Sequence, residues 1–142
     1  MTEVKEHAGL RYINPEDVET QEFEWGTLKW MSEPRVTNAE KFSMGIVILH
    51  PGKGHDRHNH PDEEEVLYVI SGEGEQTVND GAPTKITAGM CVHIPTGAFH
   101  STVNTGWEPL KLMAIYSPHG PEAVLRADPN CKVLAPGILP GT

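Results

Sequence analysis

The chain has 142 residues, with 11 Lys and Arg against 20 Asp and Glu, for a formal net charge of −9. A chain of this length forms one domain that buries roughly 68–70% of its unfolded surface, so a hydrophobic core needs no staples. The acidic balance opposes attraction to phosphate backbones and anionic lipid, which excludes nucleic acid and membrane surfaces as partners, and Cys91 and Cys131 form no CxxC pair, which excludes a disulfide framework or thiolate zinc site.

In chain order, residues 1–10 are polar and lack the apolar stretch of a secretory signal. The longest apolar runs, such as residues 46–49, fall far short of the roughly 20 residues of a membrane span. A soluble, cytoplasmic protein with two free thiols is expected. Gly and Pro then punctuate short runs rich in Val, Ile, Thr and Tyr, and the pattern predicts strands at 24–31, 42–49, 66–70, 73–78, 84–87, 91–94, 99–103 and 110–116. Turn signals such as Pro51-Gly52, Ser71-Gly72 and Ala88-Gly89 separate them. Between two strands, Asn79-Asp80-Gly81 marks a hairpin, because Asn and Gly both tolerate positive φ. Many short strands at this spacing predict an all-β sandwich or barrel. After Tyr116 the pattern fades into a Pro/Gly-rich tail in which only 122–127 can make a helical turn. Three parts result: an N-terminal segment 1–41 with one or two strands that pack on the barrel or on a partner subunit, a central barrel 42–117, and the tail 118–142.

The chemistry concentrates in a few polar residues. In His58-Asn59-His60 the alternate imidazoles of an extended segment point to one side and can converge on one ion. Pro61-Asp62 interrupts that segment, so the carboxylate of Glu65 can return from the next strand to the same mouth. Much later His100 follows the turn Pro95-Thr96-Gly97 and can bring a third imidazole back.

With these residues the sequence resembles the cupin superfamily through both of its motifs. The first, G-x5-H-x-H-x(3,4)-E-x6-G, is met by Gly52, His58, His60, Glu65 and Gly72; the second, G-x5-P-x-G-x2-H-x3-N, by Gly89, Pro95, Gly97, His100 and Asn104. The resemblance covers about residues 42–117 and implies an antiparallel β-barrel of the double-stranded β-helix, jelly-roll-like type, with His58, His60, Glu65 and His100 holding one divalent transition metal inside (Fe, Mn, Ni, Co or Zn). Because the first motif admits three or four residues before its acid, Glu64 is the alternative ligand, and the six residues between Glu65 and Gly72 favour Glu65. Met90 stands where many relatives carry Asp, at a position that is not a ligand. Three imidazoles and a carboxylate leave open positions for a small-molecule substrate.

The function this implies is a metal-dependent enzyme acting on a small oxygenated substrate: a sugar derivative, a keto or hydroxy acid, or a phenolic acid. Isomerase or lyase chemistry comes first, Fe(II)/O2 dioxygenation next, and a non-catalytic binding or sensing protein forms the alternative class. A homodimer is also implied, with 24–31 pairing with a neighbour's edge.

Other residues are placed by position. His55 and His93 flank the motifs and are the candidate catalytic acid–base groups, with His55 on the rim and the side faced by His93 open. Arg57 reads as a solvated rim residue, and Tyr68 packs outside the cavity by parity. Trp25, Trp30 and Trp107 read as core or interface aromatics; His7, His50 and His119 as structural or solvated. Gly72, Gly89 and Gly97 are expected at tight turns that need positive φ or close backbone approach.

Overall fold

The computed structural model describes residues 8–141. After a 3-10 turn at Pro15–Asp17 come β1 (Thr20–Phe23), β2 (Gly26–Ser32), the single helical turn α1 (Pro34–Thr37), β3 (Ser43–Leu49), β4 (Glu64–Ser71), β5 (Glu73–Val78), β6 (Thr84–Thr87), β7 (Cys91–Ile94), β8 (His100–Asn104), β9 (Leu110–Ser117), α2 (Pro121–Arg126) and β10 (Lys132–Leu134). All strand pairs are antiparallel. They form a seven-stranded sheet in the order β10-β1-β2-β3-β9-β4-β7 and a three-stranded sheet in the order β6-β5-β8. No helix among the described residues is long and apolar enough to cross a membrane.

Strand parity builds the core. On β3 Val47 and Leu49 point inward, on β4 Leu67 and Val69, and on β9 Leu110, Leu112 and Ala114; all are buried. They pack with Leu28 and Trp30 of β2 and with Ile86 and Ile94 of β6 and β7. The expected all-β antiparallel architecture is therefore the one observed, and β5, β6 and β7 have the expected bounds. Asn79 takes φ 54 in the expected hairpin, and Gly72, Gly89 and Gly97 take φ 90, 94 and 75.

The differences lie at the ends. The sequence expectation omits β1, β10 and α1. The β1 sequence Thr-Gln-Glu-Phe has no apolar alternation, yet Thr20 and Gln21 are buried. The Gln21 side chain accepts a hydrogen bond from Trp30 Nε1 (2.9 Å) and donates to the Glu122 carbonyl (3.1 Å), so β1 is a strand through tertiary partners. The tail returns onto the same chain, where β10 pairs with β1. The segment predicted at 24–31 corresponds to β2, which lies between β1 and β3 with both edges filled. It has no free edge for a neighbouring subunit, and the pairing expected of it is corrected accordingly.

The two ends are joined by a buried ion triad. Arg126 at the end of α2 donates from Nε to Glu19 (2.7 Å) and from Nη2 to Glu33 (2.7 Å), and both carboxylates are buried. Removing the cation would strand two buried negative charges. Arg126→Met is therefore expected to cost about 3–5 kcal/mol, read as a lower urea midpoint at unchanged m-value; an unchanged midpoint would mean that other contacts hold the ends together.

Candidate metal centre

The donors sit where the inward rows of the core reach one end of the barrel. On β4 the row that contains Leu67 and Val69 continues to Glu65, which is 3% exposed, and on β8 the row that contains Thr102 and Asn104 continues to His100, which is 2% exposed. Glu64 has the opposite parity, is exposed and pairs with His93. Glu65 is thus the acid that faces inward.

His58 and His60 lie in an extended segment that β8 holds by isolated bridges, and they belong to no regular strand. His58 N donates to the His100 carbonyl (3.0 Å) and His100 N to the His58 carbonyl (2.8 Å). One residue pair of the ladder therefore fixes the first and third imidazoles opposite each other. Upstream, His55 N donates to the Thr102 carbonyl (2.9 Å), and a Cβ on Gly54 would stand 2.2 Å from that oxygen, so only glycine lets the segment approach. Downstream, Gly97 N donates to the His60 carbonyl (3.1 Å) and Asn59 Nδ2 to the Gly97 carbonyl (3.2 Å), which ties the Pro95-Thr96-Gly97 turn to the second imidazole.

As a result, ligating atoms of His58, His60 and His100 lie within 4.8 Å of one another. Glu65 Oε1 lies 3.2 Å from His100 Nε2 and 3.6 Å from His60 Nε2. His58 Nδ1 lies 2.7 Å from the Asp56 carbonyl and His100 Nδ1 2.9 Å from the Ala98 carbonyl. A carbonyl only accepts, so each Nδ1 carries a proton and each Nε2 is the ring atom turned to the cluster, the one that would ligate an ion. His60 Nε2 is buried with no hydrogen-bond partner in the protein, and Glu65 Oε1 is buried with only the His100 and His60 imidazoles beside it. Buried polar atoms are nearly always paired, and a divalent cation would satisfy both. The four residues therefore fit a metal, with imidazole and carboxylate donors suited to first-row transition ions.

Burial sets the protonation of the rings. It is the largest influence on His55, which is pushed down to about 3, with the neighbouring imidazoles adding to it. Burial also takes His60 down to about 4 against the opposing pull of Glu65, and lowers His58. On His100 burial acts the same way, but hydrogen bonding and charge from Glu65 together with the Ala98 carbonyl outweigh it, and the pKa rises. Tyr116 is buried against Glu65 and its hydroxyl pKa is pushed well above 10, so it stays protonated.

A cavity of about 520 Å³ opens onto the cluster and is lined by His55, His58, Asn59, His60 and Tyr116, with Trp25 and the α2 residues Val124 and Leu125. His55, the first candidate acid–base residue, is in the wall, its ring centroid 5.6 Å from that of His58 and 4.3 Å from that of Trp25. His93, the second, is a correction. Its register partner Val66 has the parity opposite to Glu65, and the ring is exposed and bound to Glu64 on the outer face. Arg57 is exposed, donating to the Asn79 carbonyl (2.7 Å) with its guanidinium over the Phe99 ring. Tyr68 is 40% exposed on the outer face. His50 is exposed, His119 bonds Glu122, and His7 lies outside the described residues. Of the tryptophans, Trp30 is core, Trp107 is exposed and Trp25 is a cavity wall. Trp25 and Tyr116 are the site residues that the sequence reading missed. Parity along 110–116 could have placed Tyr116 inward with Leu110, Leu112 and Ala114, whereas no local signal marks Trp25.

Comparison with known proteins follows this geometry. The sequence profile of the family described as Cupin domain matches residues 45–116. Polyketide synthase CurC of Streptomyces cyaneus is 29% identical over 115 residues, 81% of this chain and 74% of that protein. Dimethylsulfoniopropionate lyase DddW of Ruegeria pomeroyi is 32% identical over 80 residues, 56% of this chain and 52% of that one. Among solved structures, the oxalate decarboxylase of Bacillus subtilis, described with Mn(II) centres, aligns with a TM-score of 0.61 at 28% identity, covering 70% of this chain and 27% of that one.

The ring pKa values carry a stability consequence for the metal-free protein. His55, His58 and His60 bind protons less readily when folded than when unfolded, where the ordinary value is about 6.5. Below that pH the unfolded chain gains protons that the fold refuses, so stability falls; His100 opposes this through its raised pKa. The melting temperature is expected to fall from pH 7 to pH 5, with a shallower fall in His55→Gln. A flat profile in the parent protein would contradict the buried neutral rings.

Proposed function

The chain belongs to the cupin domain family, and from that premise we propose that it is a metal-dependent enzyme of isomerase or lyase type acting on a small oxygenated substrate. The observation that carries this reading is the convergence of the His58, His60 and His100 ligating atoms within 4.8 Å of one another, with the buried Glu65 carboxylate beside them and His60 Nε2 left without a hydrogen-bond partner, next to an open cavity that His58 and His60 line. Relatives named as a lyase and as a decarboxylase with Mn(II) centres favour bond cleavage over oxygenation.

His58, His60, His100 and Glu65 would hold the ion, which when bound supplies a Lewis acid that orients a substrate's oxygens and lowers the pKa of a neighbouring C–H or O–H. The remaining work falls to the protein. His55 is neutral at physiological pH and stands in the cavity wall, braced edge-on by Trp25, with its backbone fixed on Thr102. Its lowered pKa makes it a weak base in the empty site, and the charge of a bound oxyanion would raise it, so that it could accept a proton from the substrate and return it to a second carbon or a leaving group. The Tyr116 hydroxyl keeps its proton and presents it towards the Glu65 carboxylate, limiting the orientations open to that side chain. Leu28 and Val47 add apolar surface to the cavity wall.

Two measurements test the reading. Elemental analysis of untagged protein is expected to find about one Fe, Mn, Ni, Co or Zn ion per chain, depleted in His58→Ala and in Glu65→Ala and retained in Glu64→Ala and His93→Ala. Loss in Glu64→Ala with retention in Glu65→Ala would invert the ligand assignment. With a substrate in hand, His55→Gln is expected to lower kcat by about 10²–10⁴ at unchanged metal content, without oxygen uptake. Stoichiometric oxygen consumption would replace the isomerase or lyase reading with a dioxygenase, and tight binding of metabolites without turnover would replace it with a binding protein.

A further inference from the structure

The cavity has two unlike regions. Two of the metal donors, His58 and His60, line one part of it. One stretch of its wall is apolar: the Phe23 and Trp25 rings stack at 4.6 Å and 8°, and Leu125 packs onto the core cluster. Phe23 is buried and Trp25 half-buried, so the pair is a fixed slab. At the lip Val124 is an apolar side chain left 72% exposed. Its helix is held by Arg126 on Glu19 and Glu33 and by Gln21 on the Glu122 carbonyl, so the lip needs no ordering on binding. A volume of about 520 Å³ exceeds what a chelating head group fills.

Charge supplies the second half of the argument. Among the described residues that line the cavity, Glu24, Asp56 and Asp128 are acidic and none is lysine or arginine. A divalent ion with three neutral imidazoles and one carboxylate carries one net positive charge, which a single oxyanion balances. Glu24 is paired with Lys53, which lies outside the lining, so a second negative charge would meet the carboxylates of Asp56 and Asp128 with no lining cation of its own.

We propose that the site selects a flat, largely apolar molecule, neutral or singly negative, that presents two neighbouring oxygens at one end, and that Trp25 and Val124 set this specificity. Dianions such as oxalate or sugar phosphates are selected against. The inference deepens the function proposed above and rests on it for the oxygen-binding end alone; the apolar end stands on the walls.

Binding to Zn(II)-loaded protein, followed by tryptophan fluorescence quenching and equilibrium dialysis, tests it with three probes. These are 1-hydroxy-2-acetonaphthone, with a chelating head and a flat body; acetylacetone, with the head alone; and oxalate, a dianion. The naphthone is expected to bind at least about tenfold more tightly than acetylacetone, and oxalate more weakly than either. Trp25→Leu and the surface change Val124→Asp are each expected to weaken naphthone binding about tenfold at unchanged Zn(II) content and unchanged acetylacetone affinity. Equal affinities for naphthone and acetylacetone, or indifference to both variants, would overturn the apolar specificity, and oxalate as the tightest ligand would overturn the charge selection. If no Zn(II) is taken up, the metal reading falls, and quenching of the metal-free protein then decides the apolar half. Trp25-dependent naphthone binding sustains that half, and its absence ends it.

Discussion

The reciprocal backbone hydrogen bonds between His58 and His100 are the joint on which the site depends. His100 is set by the β5–β8 ladder, so its position follows from the barrel. The 50–63 segment has no ladder of its own and inherits its position through the bridges at Gly54 and His58. Without that joint His58 and His60 would belong to a loop; with it, two imidazoles gain the placement of a strand. Glu65 arrives independently on β4, held between β7 and β9, so three stretches of chain converge on one point.

This convergence costs stability in the metal-free protein. His60 Nε2 is buried without a partner, at about 1–3 kcal/mol, and the rings are desolvated next to one another. The apolar rows of β3, β4 and β9, almost entirely buried, supply what offsets it. Glu65 is the last member of the β4 row and His100 the last of the inward row of β8, so the barrel that the core stabilises also orients these two side chains. Asn104 closes the opposite end of the β8 row, donating to the Leu49 and Glu108 carbonyls and accepting from Gly106 N, which explains a motif residue that has no part in the chemistry.

The site was legible in the sequence where chemistry and spacing coincide locally. His58-Asn59-His60 and the turn before His100 state their roles within a few residues, and the motif spacing together with strand parity separates Glu65 from Glu64. His93 was not legible, because its face depends on how β7 registers against β4, a pairing between segments more than 20 residues apart. β1 and β10 were missed for a related reason. They are short, partly polar, and become strands only through Gln21, Trp30 and each other. Trp25 looked like any core aromatic because the surface that completes its cavity comes from α2, about a hundred residues later.

That division has a functional meaning. The family match spans residues 45–116 and contains all four donors together with His55. Phe23, Trp25, Val124 and Leu125 all lie outside it, on the two flanks that β1, β10 and the Arg126 triad bind together. The barrel therefore carries the metal-donor end of the cavity, while the flanks carry its aromatic and aliphatic wall. Two proteins can share the first and differ in the second, so a relative's reaction type transfers more readily to this chain than a relative's substrate. The ion triad then matters beyond stability. By fixing α2 against the residues before β1 and before α1, it ties together the two halves of the wall, so that the shape of the cavity depends on contacts far from the donors.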